Sequence, residues 1–276
     1  MPSTYAHYRL GKEVRKELDE TEKNIVEAYP ELFLIGLHGP DILFYYHPLT
    51  DNRVNRIGYK IHARPGREFF ESALQVVRRN SGKNVYLAYL YGFLCHFALD
   101  ETCHGYIDEK IAASGISHTE IEAEFDRMLM AVDGFDPVRH RLTGHIVPSM
   151  ENTKVIQAFF EGADSRQVQK ALKGMIFYNN LLVAPSKGKR FLINALLKVT
   201  GNYREMHGLM INYEANPKCD DSTRNLYALY QEAKNLAVSL IHEYREYLEG
   251  QADFNPIYDY TFGSRLIENE ERKNAV

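Results

Sequence analysis

In the segment His96-Phe-Ala-Leu-Asp100-Glu-Thr-Cys-His104, two imidazoles and a carboxylate recur at i, i+4 and i+8. On an α-helix each four-residue step drifts by only about 40°, so all three lie on one stripe. Their neighbours are strongly apolar. Burying such a stripe is costly unless each polar group finds a partner, and a metal supplies one to all three. His118 and Glu122 repeat the i, i+4 spacing, and upstream stand His7 in YAHYRLG, Asp41 in GLHGPDILFYY and His62 in GYKIHARPG. Eight nitrogen and oxygen donors, with no thiolate required among them, suit zinc in sites that keep positions open for water.

Helices must hold these donors. Apolar residues at Leu10, Val14, Leu18 and Ile25 mark one face of a first helix that Pro30 closes, with Thr4 as its cap and His7 at its third position, pointing inward. Pro30, Pro40, Pro48, Pro65 and several glycines predict mostly loop, with one short helix, over 30–65. Pro65 stands where a helix over about 66–80 begins. The apolar run 85–105 predicts the next helix, and Ser117-His118-Thr119-Glu120 reads as a capping box opening another that ends near Ala131. Beyond Pro148 helical spacing continues to about Glu249, broken near Gly162, Pro185, Gly201 and Pro217. There is no alternating strand pattern, internal repeat or linker. The expectation is one all-α domain over 1–276, with the metal ligands within 1–125 and a helical remainder over 126–276.

With 276 residues, 45% of them hydrophobic and 25% charged, the chain can bury a core, which excludes the disordered and low-complexity classes. Its formal charge of −4 argues against gripping nucleic acid by basic charge of its own. Cys95, Cys103 and Cys219 are too few and scattered for a disulfide framework and fit a reducing compartment. The N-terminal MPSTYAHYRLGKEV lacks the apolar centre of a signal peptide, and the run from Val85 to Leu99 falls short of the roughly 18 apolar residues a membrane span needs. A cytoplasmic protein is expected, with that run as a buried core helix.

The order of the donors resembles that of the zinc-dependent phospholipase C family. That group includes bacterial phosphatidylcholine-cleaving enzymes, the catalytic domain of glycosylphosphatidylinositol-specific phospholipase D and, more distantly, fungal single-strand nucleases. Its order is an N-terminal His, an Asp in a Pro-Asp pair, a His, then His-xxx-Asp followed by His, and finally His-xxx-Glu. Here His7, Pro40-Asp41, His62, His96-xxx-Asp100, His104 and His118-xxx-Glu122 follow that order within about residues 1–125.

The resemblance implies a single compact multi-helix fold of the phospholipase C and single-strand nuclease type, with two or three zinc ions. By carry-over, Asp41, His62, His96 and Asp100 would hold one ion, and His104, His118 and Glu122 another. His7 and the bridging Asp100 would hold a third. In the family an N-terminal Trp completes that third site. This chain has no Trp, so a free Pro2 amine, water or a nearby side chain would take its place. The implied reaction is phosphodiester hydrolysis: zinc polarises phosphoryl oxygens, stabilises the leaving alkoxide and lowers the pKa of water towards about 7. Asp41 would orient or deprotonate that water. The substrate would be a phospholipid or a soluble ester, reached with at most transient contact with a membrane surface, and the ions' own charge would steer the phosphate.

Other classes are weighed by their motifs. A di-iron carboxylate bundle needs two Glu-xx-His motifs, and only Glu101-Thr-Cys-His104 is present. Histidine-aspartate phosphohydrolases need an adjacent His-Asp pair, which is missing. A helical protein with purely structural zinc and an intracellular nuclease-like phosphodiesterase are the two alternatives that the donors allow. His38, His47, His140, His145, His207 and His242 match no family position and read as surface or core residues, with His38, three residues before Asp41, the one to watch. Cys95 and Cys103 read as packing residues off the donor stripe. Phe44-Tyr45-Tyr46 and Phe69-Phe70 read first as core, and second as a wall for an acyl chain or a base.

Overall fold

The computed structural model describes residues 4–199, 201, 203 and 207–266. Helix α1 (Thr4–Glu17) buries Leu10 and Val14, and its start is held from far along the chain. The backbone N–H groups of Tyr5 and Ala6 donate to the Asp126 carboxylate at 2.9 and 2.8 Å. These are orphan donors of a helix start, where the dipole also favours an anion. Thr4 is already helical and so is not the cap, and His7 is buried as expected. Asp126→Ala would leave two buried N–H groups without their acceptor. We expect it to lower stability by about 3 kcal/mol, read as a lower urea midpoint. An unchanged midpoint would show that the carboxylate is dispensable there.

The expected first helix is two, α1 and α2 (Glu20–Ala28), and Pro30 starts α3 (Pro30–Gly36) instead of closing its predecessor. At the first turn the missing proline N–H removes no helical bond. Residues 30–65 also carry a 3-10 helix (Gly39–Tyr45) with Pro40 in its first turn, and α4 (Arg53–His62). Asn52 caps α4 by accepting from Val54 and Asn55, while Asn55 accepts from the Asn52 N–H. The expectation of mostly loop is corrected: these prolines stand at element starts.

Helix α5 (Gly66–Arg79) lies where expected, and α6 (Lys83–Ser114) overruns its expected bounds at both ends. Every residue of α6 from Leu87 to Asp100 is buried, so the run Val85–Leu99 is a core helix as read from sequence. Helix α7 (His118–Val132) is capped by Ser117, whose Oγ accepts from the Glu120 N–H. The capping box is only half made, because the Glu120 side chain accepts from Asn216 Nδ2 at 2.6 Å. Helices α8 (Met150–Ile156), α9 (Ser165–Leu182), α10 (Lys187–Val199) and α11 (Asp220–Glu249) follow, with breaks near the positions expected.

Helices α3 and α11 clasp α6. The α3 crossing requires Gly92, where a Cβ would lie 2.1 Å from the Phe33 carbonyl oxygen. One apolar core runs from Tyr5 to Phe262, and a small second cluster of Ala184, Ile193, Leu197 and Met210 lies under α10. The described residues contain no strand, only isolated bridges of Pro65 with Thr261 and Tyr260 with Leu266. Among them no helix is long and apolar enough to cross a membrane.

Candidate metal centre

Helix α6 delivers His96, Asp100 and His104 on one stripe, and Asp100 becomes the hub of the site. Its carboxylate lies 3.3 Å from His7 Nε2 on α1, 3.2 Å from His96 Nε2 and 3.6 Å from His62 Nε2 on α4, with His104 Nδ1 at 4.0 Å. Asp41, from the 3-10 helix, lies 3.0 Å from His62 Nε2. Along the cleft, Glu122 lies 3.6 Å from His104 Nε2 and 3.2 Å from His118 Nε2. Donor atoms converge in three groups: His7 with His96 and Asp100, Asp41 with His62 and His96, and His104 with His118 and Glu122. All eight residues read from sequence therefore meet along one seam. His96 belongs to both inner groups, and His7 is drawn to His96 as well as to Asp100. The Pro2 amine lies outside the described residues.

These donors fit zinc. Bonds of about 2.0–2.1 Å in a tetrahedron place neighbouring ligands about 3.4 Å apart, close to the spacings above. Moreover, His7 Nδ1, both ring nitrogens of His96 and one Asp100 oxygen are buried and make no hydrogen bond among the described residues. Such orphaned groups are expensive without a cation or proton to share.

Two backbone carbonyls orient the rings. His62 Nδ1–H donates to the Gly58 carbonyl at 2.9 Å and His104 Nδ1–H to the Phe262 carbonyl at 2.7 Å, so each Nε2 faces the carboxylates and would become a ligand lone pair once a metal displaced its proton. Gly39 admits His96: its φ is +45°, and a Cβ there would lie 2.2 Å from the imidazole. The Phe262 ring packs against His62, His96 and Phe97. Residues 260–266 form a strap over the centre, which Ser264 fastens by donating to the Glu101 carbonyl and accepting from the Gly105 N–H.

The strap and α4 frame a cleft of about 610 Å³ lined by His62, His104, His118, Phe262 and Arg265. His96, Asp100 and His7 lie behind it, buried, while His62 and His118 keep 21% and 36% of their side chains exposed. The centre is open on one side. Sequence reasoning missed Asp126, Gly39 and the strap. The Gly-Pro pair before Asp41 was a signal for Gly39; a backbone carbonyl such as that of Phe262 leaves none.

The remaining histidines stay outside the centre. His38 Nε2 is 2.7 Å from His145 Nε2, and His145 stacks on Tyr8. Burial lowers both, His145 to about 4, so the pair is neutral and one ring donates to the other. His242 joins Asp19 and the buried Glu22 in a separate group, where Arg245 Nε, 3.2 Å from Glu22, already supplies the positive charge. A separate apolar cavity of about 90 Å³ lies between Phe44, Ala123, Leu182 and Ile211. Phe44 and Tyr45 both line it.

Without metal, protons hold the centre together. Burial opposes charge on His62, but Asp100 and Asp41 overcome it and raise the imidazole to about 10. Burial likewise opposes His104, and Asp100 and Glu122 raise it to about 9. Despite burial, which raises carboxylates, the neighbouring imidazoles hold Asp100 and Glu122 well below the usual range. A folded pKa above the unfolded value of about 6.5 stabilises the metal-free fold below pH 6.5, and that contribution is lost as pH rises through about 9–10. Metal must displace the same protons, so zinc affinity is expected to rise between pH 6 and 9. Titration calorimetry at about pH 7.5 in buffers of different ionisation enthalpy should show about two protons released per chain. No release would contradict charged His62 and His104.

A family model described as zinc dependent phospholipase C matches residues 6–172, more than half of the chain. No curated protein and no solved structure gives a significant match.

Proposed function

The chain belongs to the zinc-dependent phospholipase C family, and we propose that it is a phosphoric diester hydrolase that cleaves a phospholipid with two or three zinc ions. The observation that carries this reading is the open side of the centre, where His62, His104 and His118 face the cleft while His7, His96 and Asp100 are buried. A structural zinc site is closed, whereas a catalytic one leaves room for water and substrate. Asp41, His62, His96 and Asp100 would hold one ion, His104, His118 and Glu122 a second, and His7 with Asp100 a third. Bound there, zinc supplies Lewis-acid stabilisation of phosphoryl and leaving-group oxygens and acidifies water.

The residues of the chain do the rest. Asp41 presents an anionic oxygen beside the cleft-facing His62, placed to accept the proton of the attacking water. The Phe262 and Gly58 carbonyls fix the two rings that line the cleft, where a phosphate would sit. Arg265, which lies 3.3 Å from Asp108 at the rim, adds a guanidinium for an anionic headgroup. Phospholipid hydrolysis at this centre would release a diacylglycerol and a phosphorylated headgroup.

The test is elemental analysis of native protein, followed by hydrolysis of chromogenic phosphodiesters and phosphatidylcholine with and without chelator. Two or three zinc ions and chelator-sensitive hydrolysis are expected. One tightly held ion with no hydrolysis would favour structural zinc, and chelator-insensitive activity would refute a metal mechanism.

A further inference from the structure

Helix α10 turns its apolar side chains the wrong way for a core element. Ile193 and Leu197 face inward to the small cluster with Ala184 and Met210, but Phe191, Leu192 and Val199 are 72%, 68% and 86% exposed, with Leu196 beside them. On α9, Arg166, Lys170, Lys173, Phe177 and Leu181 form one exposed stripe at i, i+4, i+7, i+11 and i+15, basic along its first half and apolar along its second. Single exposed apolar side chains are ordinary, whereas Phe191, Leu192, Leu196 and Val199 together on the outer side of one short helix mark a contact surface.

Charge identifies the partner. From Ser165 to Val199 the chain has no Asp or Glu, yet it carries Arg166, Lys170, Lys173, Lys187, Lys189, Arg190 and Lys198, although the whole protein is net negative at −4. Two of these cations fix the geometry. Lys189 donates to the carbonyls of Asn180 and Val183 at the end of α9, and Arg190 donates to the Ile211 carbonyl. They pin the start of α10 so that Phe191 and Leu192 stand outward. Lys170, Lys173, Lys187 and Lys198 remain exposed on the same two helices. Outward Phe and Leu ringed by lysines are the pattern of a helix lying in a bilayer interface, with its cations drawn to anionic headgroups. A second copy pairing through the same face would bring its exposed cations against themselves.

We propose that the exposed faces of α9 and α10 dock the protein on an anionic phospholipid membrane. The proposal deepens the reading of the metal centre as acting on a lipid phosphodiester and rests on it for its biological sense. Most of the surface, including all of α10, lies beyond the matched residues 6–172. Docking would hold the enzyme at the source of its substrate by a surface separate from the metal donors.

The test uses the full zinc-loaded chain and two variants, Phe191→Ser with Leu192→Ser, and Lys173→Glu with Lys187→Glu. All four positions are exposed, so the fold should survive, and unchanged hydrolysis of a soluble chromogenic phosphodiester would verify that it does. Wild type should co-sediment with vesicles of phosphatidylcholine mixed with phosphatidylserine, less with phosphatidylcholine alone, and less as salt rises. Each variant should lose at least about tenfold in partitioning. Partitioning equal to wild type, or a wild-type dimer in ultracentrifugation that Phe191→Ser with Leu192→Ser converts to monomer without any vesicle binding, would overturn the proposal. If the variants lose vesicle binding while no form hydrolyses any phosphodiester, docking stands and the enzymatic reading fails. If hydrolysis is intact and wild type ignores vesicles, the reverse holds.

Discussion

Asp100→Asn is expected to lower phosphodiester hydrolysis by more than about 100-fold and to empty the inner part of the centre, whereas His7→Ala should do markedly less. Loss of an outer-shell partner alone costs about 10–100-fold in affinity or activity, and Asp100 is placed to do more than such a partner. Its carboxylate is within 3.6 Å of His7, His96 and His62, and it is 3% exposed, so solvent cannot replace it. Asparagine matches its volume but removes the charge, leaving buried imidazoles without their shared anion. His7 reaches only the group that it forms with His96 and Asp100. Its removal should therefore spare the pair of Asp41 and His62 and the outer group of His104, His118 and Glu122. Zinc counted per chain, alongside kcat/KM on a soluble phosphodiester, checks the ranking. Equal losses of zinc and activity in the two variants would remove Asp100 from its role as the shared ligand.

That hub was legible in the sequence because it depends on local geometry. His96, Asp100 and His104 share a stripe on any α-helix, and their apolar neighbours ensure that the helix is buried, so sequence spacing becomes spatial proximity without knowledge of the fold. His118 and Glu122 were legible for the same reason. His7, Asp41 and His62 were not legible from spacing; their place came from the order of donors in a known family. What escaped was what other elements lend across the fold. Asp126 holds the start of α1 from 120 residues away, and the Phe262 carbonyl orients His104 from 158. Neither belongs to a periodic pattern, and a carbonyl is common to every residue. The segment 30–65 was misread because proline was weighed as a terminator, although Pro30 and Pro40 occupy first turns, where proline is favoured. The eight donors themselves lie within 1–125, and the strap around Phe262 brings a late segment of the chain to the border of their cleft.

Asp41→Asn should separate binding from proton transfer. Asp41 stands between the two tasks, grouped with His62 and His96 as a donor and placed beside the cleft through its 3.0 Å approach to His62. Burial pushes its carboxyl up, but the positive charge around it, that of His62 and His96 included, together with the His62 hydrogen bond, prevails and holds it well below the usual carboxylate range. It is therefore an anion at neutral pH, ready to orient water and weak as a free base. The environment in the loaded enzyme must supply the remainder by acidifying the water it faces. Asparagine retains one oxygen for coordination and loses the acceptor of the proton. We expect kcat to fall by about 10²–10⁴-fold, the range for general acid–base groups, with KM and the zinc held by His104, His118 and Glu122 nearly unchanged. A variant that keeps its zinc and more than about a tenth of wild-type kcat would assign proton transfer elsewhere, because no general base within that range could be lost at so small a cost. A variant that loses all its zinc would show Asp41 to be a ligand first, with its effect on rate inherited from the metal.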